Sequence, residues 1–462
     1  MEDKENKTTM KDLTEGNPMK LILGFAIPML FGFLFQQFYN LVDTMIVGKF
    51  LGPDALAAVG STGSINFLVI GFCMGICNGF VIPVAQQFGA KNYRNLRKYV
   101  ANGVWLCIAF SVVITLLTTI FTRQILMLMK TPQDIFENAC IYIFIIFCGI
   151  PATILYNMTS GIIRSLGDSK TPVVFLALSS CINIVLDVVL IYYVKMGVAG
   201  AAVATVVSQA ISGIGCLIFM IKQFDILKMT KEEMRFDRMY AGILCGMGIP
   251  MGLQYSITAI GSVILQTAVN TLGTVYVAAV TAGSKLSMFF CCPYDAMGST
   301  MATYGGQNVG AGRLDRIGKG LRDCTILGAV YSVIALLILL FFGKKLSLLF
   351  VSSSDVEIIE MTYLFLIANC TFYFPLAIVN IFRFLIQGMG FSQFAILAGV
   401  FEMAARALAG VVLTPLFGYN GACMGNALAW IFADIFLIPA YFICRNRLRK
   451  RFECKKDVET FV

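Results

Sequence analysis

The chain has 462 residues, of which 58% are hydrophobic and 13% are charged, and it contains no histidine. An ordinary soluble protein carries about 25% charged residues, so this composition excludes a water-soluble enzyme and predicts a membrane protein. Without histidine the chain has no Ser–His or Cys–His nucleophile and no His-ligated zinc or haem. We therefore expect no enzymatic activity and no cofactor. Any proton or cation chemistry within the membrane must use carboxylates.

The predicted elements begin with a polar segment, residues 1–20, in which we find no signal peptide because it lacks an apolar stretch and a cleavage site. From residue 21 onward, apolar stretches alternate with short polar links. Each stretch is long enough to cross a hydrocarbon core of about 30 Å as a helix. The twelve predicted spans are 21–48, 55–80, 99–121, 139–163, 171–194, 199–221, 241–270, 275–304, 323–343, 360–386, 393–417 and 419–443.

The distribution of basic residues predicts the orientation of these spans. With the N-terminus placed inside the cell, the inner segments contain 26 of the 35 lysines and arginines, and the outer links contain six. Such an excess is typical of cytoplasmic segments. We therefore predict that both termini are cytoplasmic. Because the basic clusters follow topology, the net charge of +9 does not indicate nucleic-acid binding.

Several motifs of the first half recur in the second half at a nearly constant offset, which indicates two halves built on one plan. The segment FAIPMLFG is echoed by MGIPMGLQ, QQFGAKN by QNVGAGR, and GVAGAAVAT by GYNGACMGN. Six spans per half place both halves in the membrane in the same direction, an arrangement found in transporters. The predicted domains are a cytoplasmic segment 1–20, an N-terminal lobe 21–221, a cytoplasmic link 222–240, a C-terminal lobe 241–443 and a basic cytoplasmic tail 444–462.

Two aspartates lie at similar depth in the first half. Asp43 precedes Lys49 by six residues and Asp187 precedes Lys195 by eight, which places them about 9 and 12 Å inside the outer basic residues at 1.5 Å per residue. Polar residues at helical spacing accompany them. The predicted cation- or proton-coupling residues are Gln36, Asn40, Asp43, Asn183, Asp187 and Thr205. Their oxygens can hold a proton or a hard monovalent cation such as Na⁺ between Asp43 and Asp187; the alternative is a hydrogen-bonded structural cluster.

The second half does not repeat these aspartates. Span seven carries a polar residue every fourth position, which predicts either a cavity-lining ridge or a helix contact. Glu402 and Arg406 are four residues apart on span eleven, and are either a structural ion pair or part of a substrate-facing wall. Asp434 on span twelve is a weaker candidate. The predicted substrate-cavity residues are Gln254, Thr258, Gln266, Asp295, Glu402 and Arg406.

At these residues the chain resembles the multidrug and toxic compound extrusion (MATE) family, and in particular its Gram-positive bacterial members. The similarity covers about residues 15–450 and is carried by FAIPMLF, QQFYNLVDTMIVGKFLG, QQFGAKN, GIIRSLGDSKTP, NIVLDVVL and GAAVAT. It implies an all-α polytopic membrane protein with twelve helices in two pseudo-symmetric six-helix lobes. It also implies that the N-lobe cation site of the family falls on Asp43, Asn183, Asp187 and Thr205.

The resemblance further implies a secondary antiporter of the bacterial cell membrane that exports amphipathic organic cations and drugs in exchange for inward H⁺ or Na⁺, by alternating access. One branch of the family uses acidic residues on span seven, where this chain has Gln254 and Gln266. An alternative within the broader superfamily is a flippase of lipid-linked precursors, which would line its cavity with several basic residues. We expect a monomer whose partners are drug-like small molecules and the lipid bilayer.

Overall fold

The computed structural model describes residues 10–460, with side chains described to residue 454. Over this range the chain is helical and has no β-strand. The helices of the first half are α1 (Pro18–Leu51), α2 (Pro53–Ser61), α3 (Gly63–Gly89), α4 (Tyr93–Ile120), α5 (Thr122–Leu128), α6 (Gln133–Cys148), α7 (Ile150–Ser165), α8 (Lys170–Asp187) and α9 (Val198–Gln223). Parts of the predicted terminal segments, residues 1–9 and 461–462, lie outside the described residues.

The second half repeats this pattern of long and short helices. It contains α10 (Arg238–Asn270), α11 (Thr274–Gly310), α12 (Leu314–Ser347), α13 (Val356–Cys370), α14 (Tyr373–Gly388), α15 (Gln393–Leu408), α16 (Thr414–Phe417), α17 (Tyr419–Cys423) and α18 (Gly425–Thr460). Two π-helical segments, Val188–Tyr193 and Ala409–Leu413, follow α8 and α15, and a 3₁₀ turn occupies Asp225–Leu227.

Within residues 10–460, ten helical segments are long and apolar enough to cross a membrane, and two bent helix pairs bring the number to twelve when each pair counts as one span. In hydrocarbon a helix satisfies its own backbone hydrogen bonds, so apolar runs of this length fold in this way. The all-α polytopic fold predicted from the sequence is confirmed. The bent pairs are α6 with α7, at 43°, and α13 with α14, at 49°.

The bends and several boundaries differ from the predicted spans. The span predicted at 139–163 breaks at Gly149, next to Pro151 in the first turn of α7. The span predicted at 360–386 breaks before α14, which has Pro375 in its first turn. Proline lacks the backbone N–H that a continuous helix needs at these positions. Hydropathy alone cannot locate such breaks, because proline and glycine interrupt a helix without making the sequence polar.

Two other predicted spans differ from the helices of the structure in length or in number. The span predicted at 55–80 is divided at Thr62 into α2 and α3, and α3 continues to Gly89. The span predicted at 323–343 is the central part of α12, which extends at both ends through charged sequence. Lysine, arginine and glutamate are good helix formers, so these helices continue past the apolar stretch that hydropathy detects.

The described chain divides into two compact units. The first contains the described part of Met1–Glu15 together with Ile27–Gly252, and the second contains Gly16–Ala26 and Leu253–Val462, as far as they are described. In the first unit α7 packs against α3 and α9, and α8 packs against α9. In the second unit α14 packs against α11 and α18, and α15 packs against α18. Helices in corresponding sequence positions therefore make corresponding contacts within each unit.

The internal repeat also appears in the backbone conformation. Glycines at corresponding positions of the two halves adopt positive φ angles in three pairs: Gly52 with Gly273, Gly167 with Gly390, and Gly197 with Gly418. Gly167 shows why glycine is needed at such a position, because a Cβ there would lie 2.0 Å from the backbone oxygen of Lys11. The two π-helical segments also occupy corresponding positions, each directly after the equivalent helix. The same connections therefore recur in both halves, although the side chains they position differ.

Candidate functional site

Asp43 and Asp187 lie together in the first unit. Asp187 is fully buried and ends α8 at the start of the π-helical segment Val188–Tyr193, whereas Asp43 is half-buried on α1. Their carboxyl groups lie close enough to interact electrostatically. A π-helical segment changes the direction of the side chains around it and often lies beside functional residues. Here it immediately follows the buried carboxyl group.

Asn183 and Thr205 complete a small polar cluster around Asp187. Asn183 is buried one turn before Asp187 on α8, and Thr205 is on α9. With its amide oriented to satisfy both neighbours, Asn183 Nδ2 donates to Asp187 Oδ2 at 3.2 Å and Asn183 Oδ1 accepts from the Thr205 backbone N–H at 3.3 Å. The Thr205 hydroxyl donates to the Ala201 carbonyl at 3.1 Å. One carboxyl oxygen is thus held by an amide.

Each of the two carboxyl groups also has one oxygen atom that accepts no hydrogen bond within residues 10–454. Asp43 Oδ1 and Asp187 Oδ1 are buried, and no N–H or O–H group of the described residues donates to either of them. Neither aspartate forms an ion pair with a basic residue in the described chain. Two carboxyl groups this close cannot both remain ionised at low cost when no positive charge faces them. The arrangement can therefore hold a proton or a monovalent cation.

Two tyrosines near the carboxyl pair were missed in the sequence. Tyr39 and Tyr142 both interact electrostatically with Asp43 and Asp187. Tyr39 precedes Asp43 by four residues on α1, a spacing that places two side chains on one helix face, so the sequence contained a signal for it. Tyr142 is buried on α6. It is distant in sequence from both aspartates, and only the packing of α6 reveals it.

Gln36 and Asn40 are not joined to this cluster. Asn40 is exposed, Gln36 is half-buried, and no side-chain hydrogen bond within residues 10–454 links either amide to the two aspartates. The structure therefore brings together Asp43, Asn183, Asp187 and Thr205 and leaves the two amides of α1 apart.

The second unit contains a different buried cluster of charges. Glu402 on α15 forms ion pairs with Arg383 on α14 and with Arg406, whose Nη1 is 3.4 Å from Glu402 Oε2. All three side chains are buried. Asp295 on α11 and Asp434 on α18 also interact electrostatically with Arg383. Three carboxyl groups and two guanidinium groups therefore share one buried region.

Arg383 was not among the predicted site residues, because in the sequence it lies close to the end of the span predicted at 360–386. The bend before Tyr373 starts a new helix, and α14 continues to Gly388 with Arg383 in its second half. Arg406 makes a further contact to Asn426 Oδ1 at 3.4 Å. Both arginines are thus engaged with acidic or amide groups.

The polar ridge predicted on span seven changes character along α10. Gln254 is buried and accepts a hydrogen bond from Gln387 Nε2 at 3.3 Å. Thr258 has a buried hydroxyl with no hydrogen-bond partner among the described residues, whereas Gln266 donates to Asn270 at 2.9 Å in an exposed pair. The Gln254 end of the ridge therefore makes an interhelical contact. The Asn270 end is exposed along the same helix.

The fold defines a class: a polytopic α-helical membrane transporter made of two repeated six-span halves. The family model MatE matches residues 28–189 and 250–416, one segment in each half. The chain therefore belongs to the MatE family, and the resemblance found in its motifs is confirmed.

Individual relatives and solved structures agree with this assignment. The chain is 29% identical over 450 residues to the probable multidrug resistance protein YpnP of Bacillus subtilis (strain 168), covering 96% of this chain and 98% of the relative. It is 21% identical to the multidrug export protein MepA of Staphylococcus haemolyticus, covering 94% and 95% of the two chains. A crystal structure of MATE in complex with MaL6 superposes with a TM-score of 0.88 at 22% identity, covering 96% of this chain and 99% of that one. A structure of MATE in the bent conformation gives 0.86 at 21% identity, covering 97% and 99%. These structures share the fold.

Proposed function

We propose that the chain is a secondary antiporter that exports amphipathic organic cations and drugs in exchange for inward H⁺ or Na⁺. The observation that carries this proposal is the pair Asp43 and Asp187, two neighbouring carboxyl groups in a membrane bundle with no basic partner among the described residues. A charge inside a membrane is costly and such residues are usually functional. A single proton or Na⁺ neutralises one of the two negative charges. The stability of the ionised pair therefore depends on the concentration of that ion on the side of the membrane from which it binds.

In this proposal Asp187 and Asp43 bind the coupling ion, and Asn183 and Thr205 hold Asp187 in place. Asn183 leaves Asp187 Oδ1 free while it occupies Oδ2, so one oxygen remains available for the ion. Loading the pair with a proton removes a negative charge between α1 and α8. Transport follows if the ion and the drug favour different arrangements of the two six-span halves, since each ligand shifts the equilibrium by its difference in affinity.

The names of the relatives support the proposed substrate class, because both YpnP and MepA are described as multidrug proteins. Lipid-linked precursor flipping receives less support. A cavity for a bulky anionic lipid needs unpaired basic groups, and the deeply buried Arg383 and Arg406 are both paired with Glu402. The unpaired buried carboxyl oxygens of the first unit suit cationic ligands instead.

The charge distribution supports an orientation with both termini in the cytoplasm. The inner segments predicted from the sequence hold 26 of the 35 basic residues, and cytoplasmic segments carry this excess. In that orientation the coupling ion reaches Asp43 from the outer side of the membrane, since Asp43 lies near the outer end of α1.

The test is efflux of a fluorescent organic cation from proteoliposomes with a pH gradient or a Na⁺ gradient imposed, each alone. We expect at least one gradient to drive efflux by the unmodified chain. Efflux that is the same with and without both gradients would contradict coupled antiport. Movement of a fluorescent lipid between leaflets, with no efflux of the cation, would favour a flippase instead.

A further inference from the structure

A groove of about 540 Å³ lies in the first unit, away from the aspartate pair. One wall is α4, which contributes Trp105 and Ala109, and the other is the link between α9 and α10, residues 224–237. The link contributes Lys231, Met234, Arg235 and Phe236. Apolar side chains and two basic side chains therefore line the same open groove.

The walls of this groove are held in place by specific bonds. The Trp105 indole N–H donates to the Met234 carbonyl at 2.9 Å, which fixes the ring against the link. Arg97 of α4 forms two hydrogen bonds of 2.8 Å with the Glu233 carboxylate. The Thr230 backbone N–H donates to the same carboxylate at 3.0 Å. The groove is thus a preformed feature that needs no ordering of the link.

The charged residues that line the groove, Lys231 and Arg235, are both basic. Arg97 neutralises Glu233 and lowers the pKa of its carboxyl group to about 2, so this pair keeps its charges at physiological pH. Lys231 and Arg235 are exposed, and neither forms an ion pair with a described residue. Two free cations beside an apolar wall favour a ligand that combines an anionic group with a hydrocarbon chain.

The position of the groove along α4 indicates where such a ligand comes from. Arg94 and Lys98 lie in the first two turns of the helix, before the groove. An exposed apolar stripe starts at Trp105, which is 49% exposed, and continues along the helix through Ile108, Val112, Leu116 and Ile120. Tryptophan is enriched where a span leaves the hydrocarbon and meets the headgroups. The groove therefore lies at headgroup level beside a surface that faces lipid.

We propose that this groove binds an anionic glycerophospholipid. Its phosphate contacts Lys231 and Arg235, and one acyl chain lies along Trp105 and Ala109. Basic pockets beside spans recognise anionic headgroups, and the guanidinium group of Arg235 can form a bidentate contact with phosphate. Because the link joins the two sequence halves, binding of this lipid would make the conformation of the link depend on the lipid composition of the membrane.

The experiment uses the fluorescence of Trp105 in the full chain. The protein has two tryptophans, so Trp430→Phe leaves Trp105 as the reporter in lipid nanodiscs. Brominated phosphatidylglycerol and brominated phosphatidylcholine are compared as quenchers at the same mole fraction. We expect phosphatidylglycerol to quench with an apparent affinity on the order of tenfold higher, since phosphatidylcholine carries a quaternary ammonium group that the two basic side chains repel.

Matched variants test the assignment of the basic residues. Lys231→Gln with Arg235→Gln should remove the preference for phosphatidylglycerol. Lys222→Gln at the end of α9 with Lys228→Gln in the link removes the same net charge without altering the groove lining, and should keep the preference. Native mass spectrometry of lipid retained by the otherwise unmodified variants gives the same comparison without Trp430→Phe.

Three results would overturn the proposal. Equal quenching by both lipids would show no anionic site. Retention of the preference after loss of Lys231 and Arg235 would place the site elsewhere. Loss of the preference on adding millimolar inorganic phosphate would show a site for free anions instead of lipid.

Discussion

The carboxyl pair of the first unit and the charge cluster of the second unit show two ways of keeping acids inside a membrane protein. Glu402 is buried between Arg383 and Arg406 and is electrostatically compensated by the fold. Asp43 and Asp187 face each other, and no basic group of the described chain compensates them. In a buried ion pair each charge is neutralised by its partner. Two neighbouring acids with no basic partner are neutralised only when a proton or a cation binds. The groups that face a buried acid therefore matter more than the number of buried acids.

Removing the charge of Asp187 should have the largest effect on transport. Asp187→Asn keeps the size and the amide contacts but cannot take up a coupling ion in the same way, so we expect gradient-driven efflux to fall by about 100-fold or more, corresponding to at least about 2.7 kcal/mol. The measurement is efflux of a fluorescent cation from proteoliposomes with equal protein content. The control is Asp54→Asn, an exposed acid in the first turn of α2, which should retain efflux. Full activity of Asp187→Asn would refute the functional role of the pair.

Substitutions in the charge cluster of the second unit should lower the free energy of unfolding. Glu402→Gln leaves two buried guanidinium groups without their shared carboxylate, and breaking a buried ion pair costs about 3–5 kcal/mol. Arg383→Met should cost less, because Glu402 keeps Arg406. Thermal unfolding of the purified variants measures both effects. The exposed pair Arg123 and Glu137 serves as the control; Glu137→Gln should change stability by less than about 1 kcal/mol. Equal stability of Glu402→Gln and the unmodified chain would show that the cluster is not a structural ion pair.

A third difference between the halves concerns backbone contact. In the first unit Gly75 and Gly79 of α3 pack against Gly252 and Gly248 of α10, and a Cβ on Gly79 would lie 2.4 Å from the Gly248 Cα. At the positions of the second half that correspond to Gly75 and Gly79 the chain has methionines, Met297 and Met301, so the second half does not repeat these two glycines. Small residues allow such close approach between membrane helices.

Gly79→Ala should therefore force the two helices apart at a cost of about 1–3 kcal/mol, the usual range for overpacking. The matched change is Gly60→Ala, where a Cβ would meet nothing within 4 Å. We expect it to be neutral or to stabilise α2 by up to about 1 kcal/mol. Thermal unfolding in one detergent compares the two variants. A Gly79→Ala protein as stable as the Gly60→Ala protein would mean that α3 and α10 can separate freely.

The smallest expected effect concerns the link beside the lipid groove. Arg97 lowers the pKa of Glu233 to about 2 from an ordinary value of 4.5, so this pairing contributes stability fully above pH 4.5 and loses it as the pH falls towards 2. Glu233→Gln should imitate the acidic condition at neutral pH. We expect faster amide hydrogen exchange in residues 224–237 and unchanged exchange in α7. Protection of the link that does not depend on pH or on Glu233 would contradict this role.

Much of the fold could be predicted, because lipid allows few solutions for an apolar stretch of about 20 residues. The breaks at Gly149 and before Tyr373 were missed by hydropathy, which does not register the prolines Pro151 and Pro375 that accompany them. Matched depth indicated Asp43 and Asp187 in the sequence. Tyr142 required knowledge of how α6 packs, because no local spacing connects it to either aspartate.

The same distinction applies to the second half. Glu402 and Arg406 could be paired by their helical spacing, which is a local property. Arg383 required the three-dimensional structure, because the packing of α14 against α15 brings its side chain to Glu402. The recurrent motifs indicated the repeat. The sequence also showed that the second half does not repeat the two aspartates of the first half.

The central claim is that Asp43 and Asp187 bind the coupling ion that a drug displaces. It is tested most directly by adding a transported drug to the purified protein in weakly buffered detergent solution, while recording released protons and released ²²Na⁺. Linkage requires that a ligand which lowers the affinity for the ion also releases it. We predict release of H⁺ or Na⁺ from the unmodified chain and from Asp54→Asn, and none from the double variant Asp43→Asn with Asp187→Asn. Equal ion release from the double variant, with drug binding intact, would contradict the account.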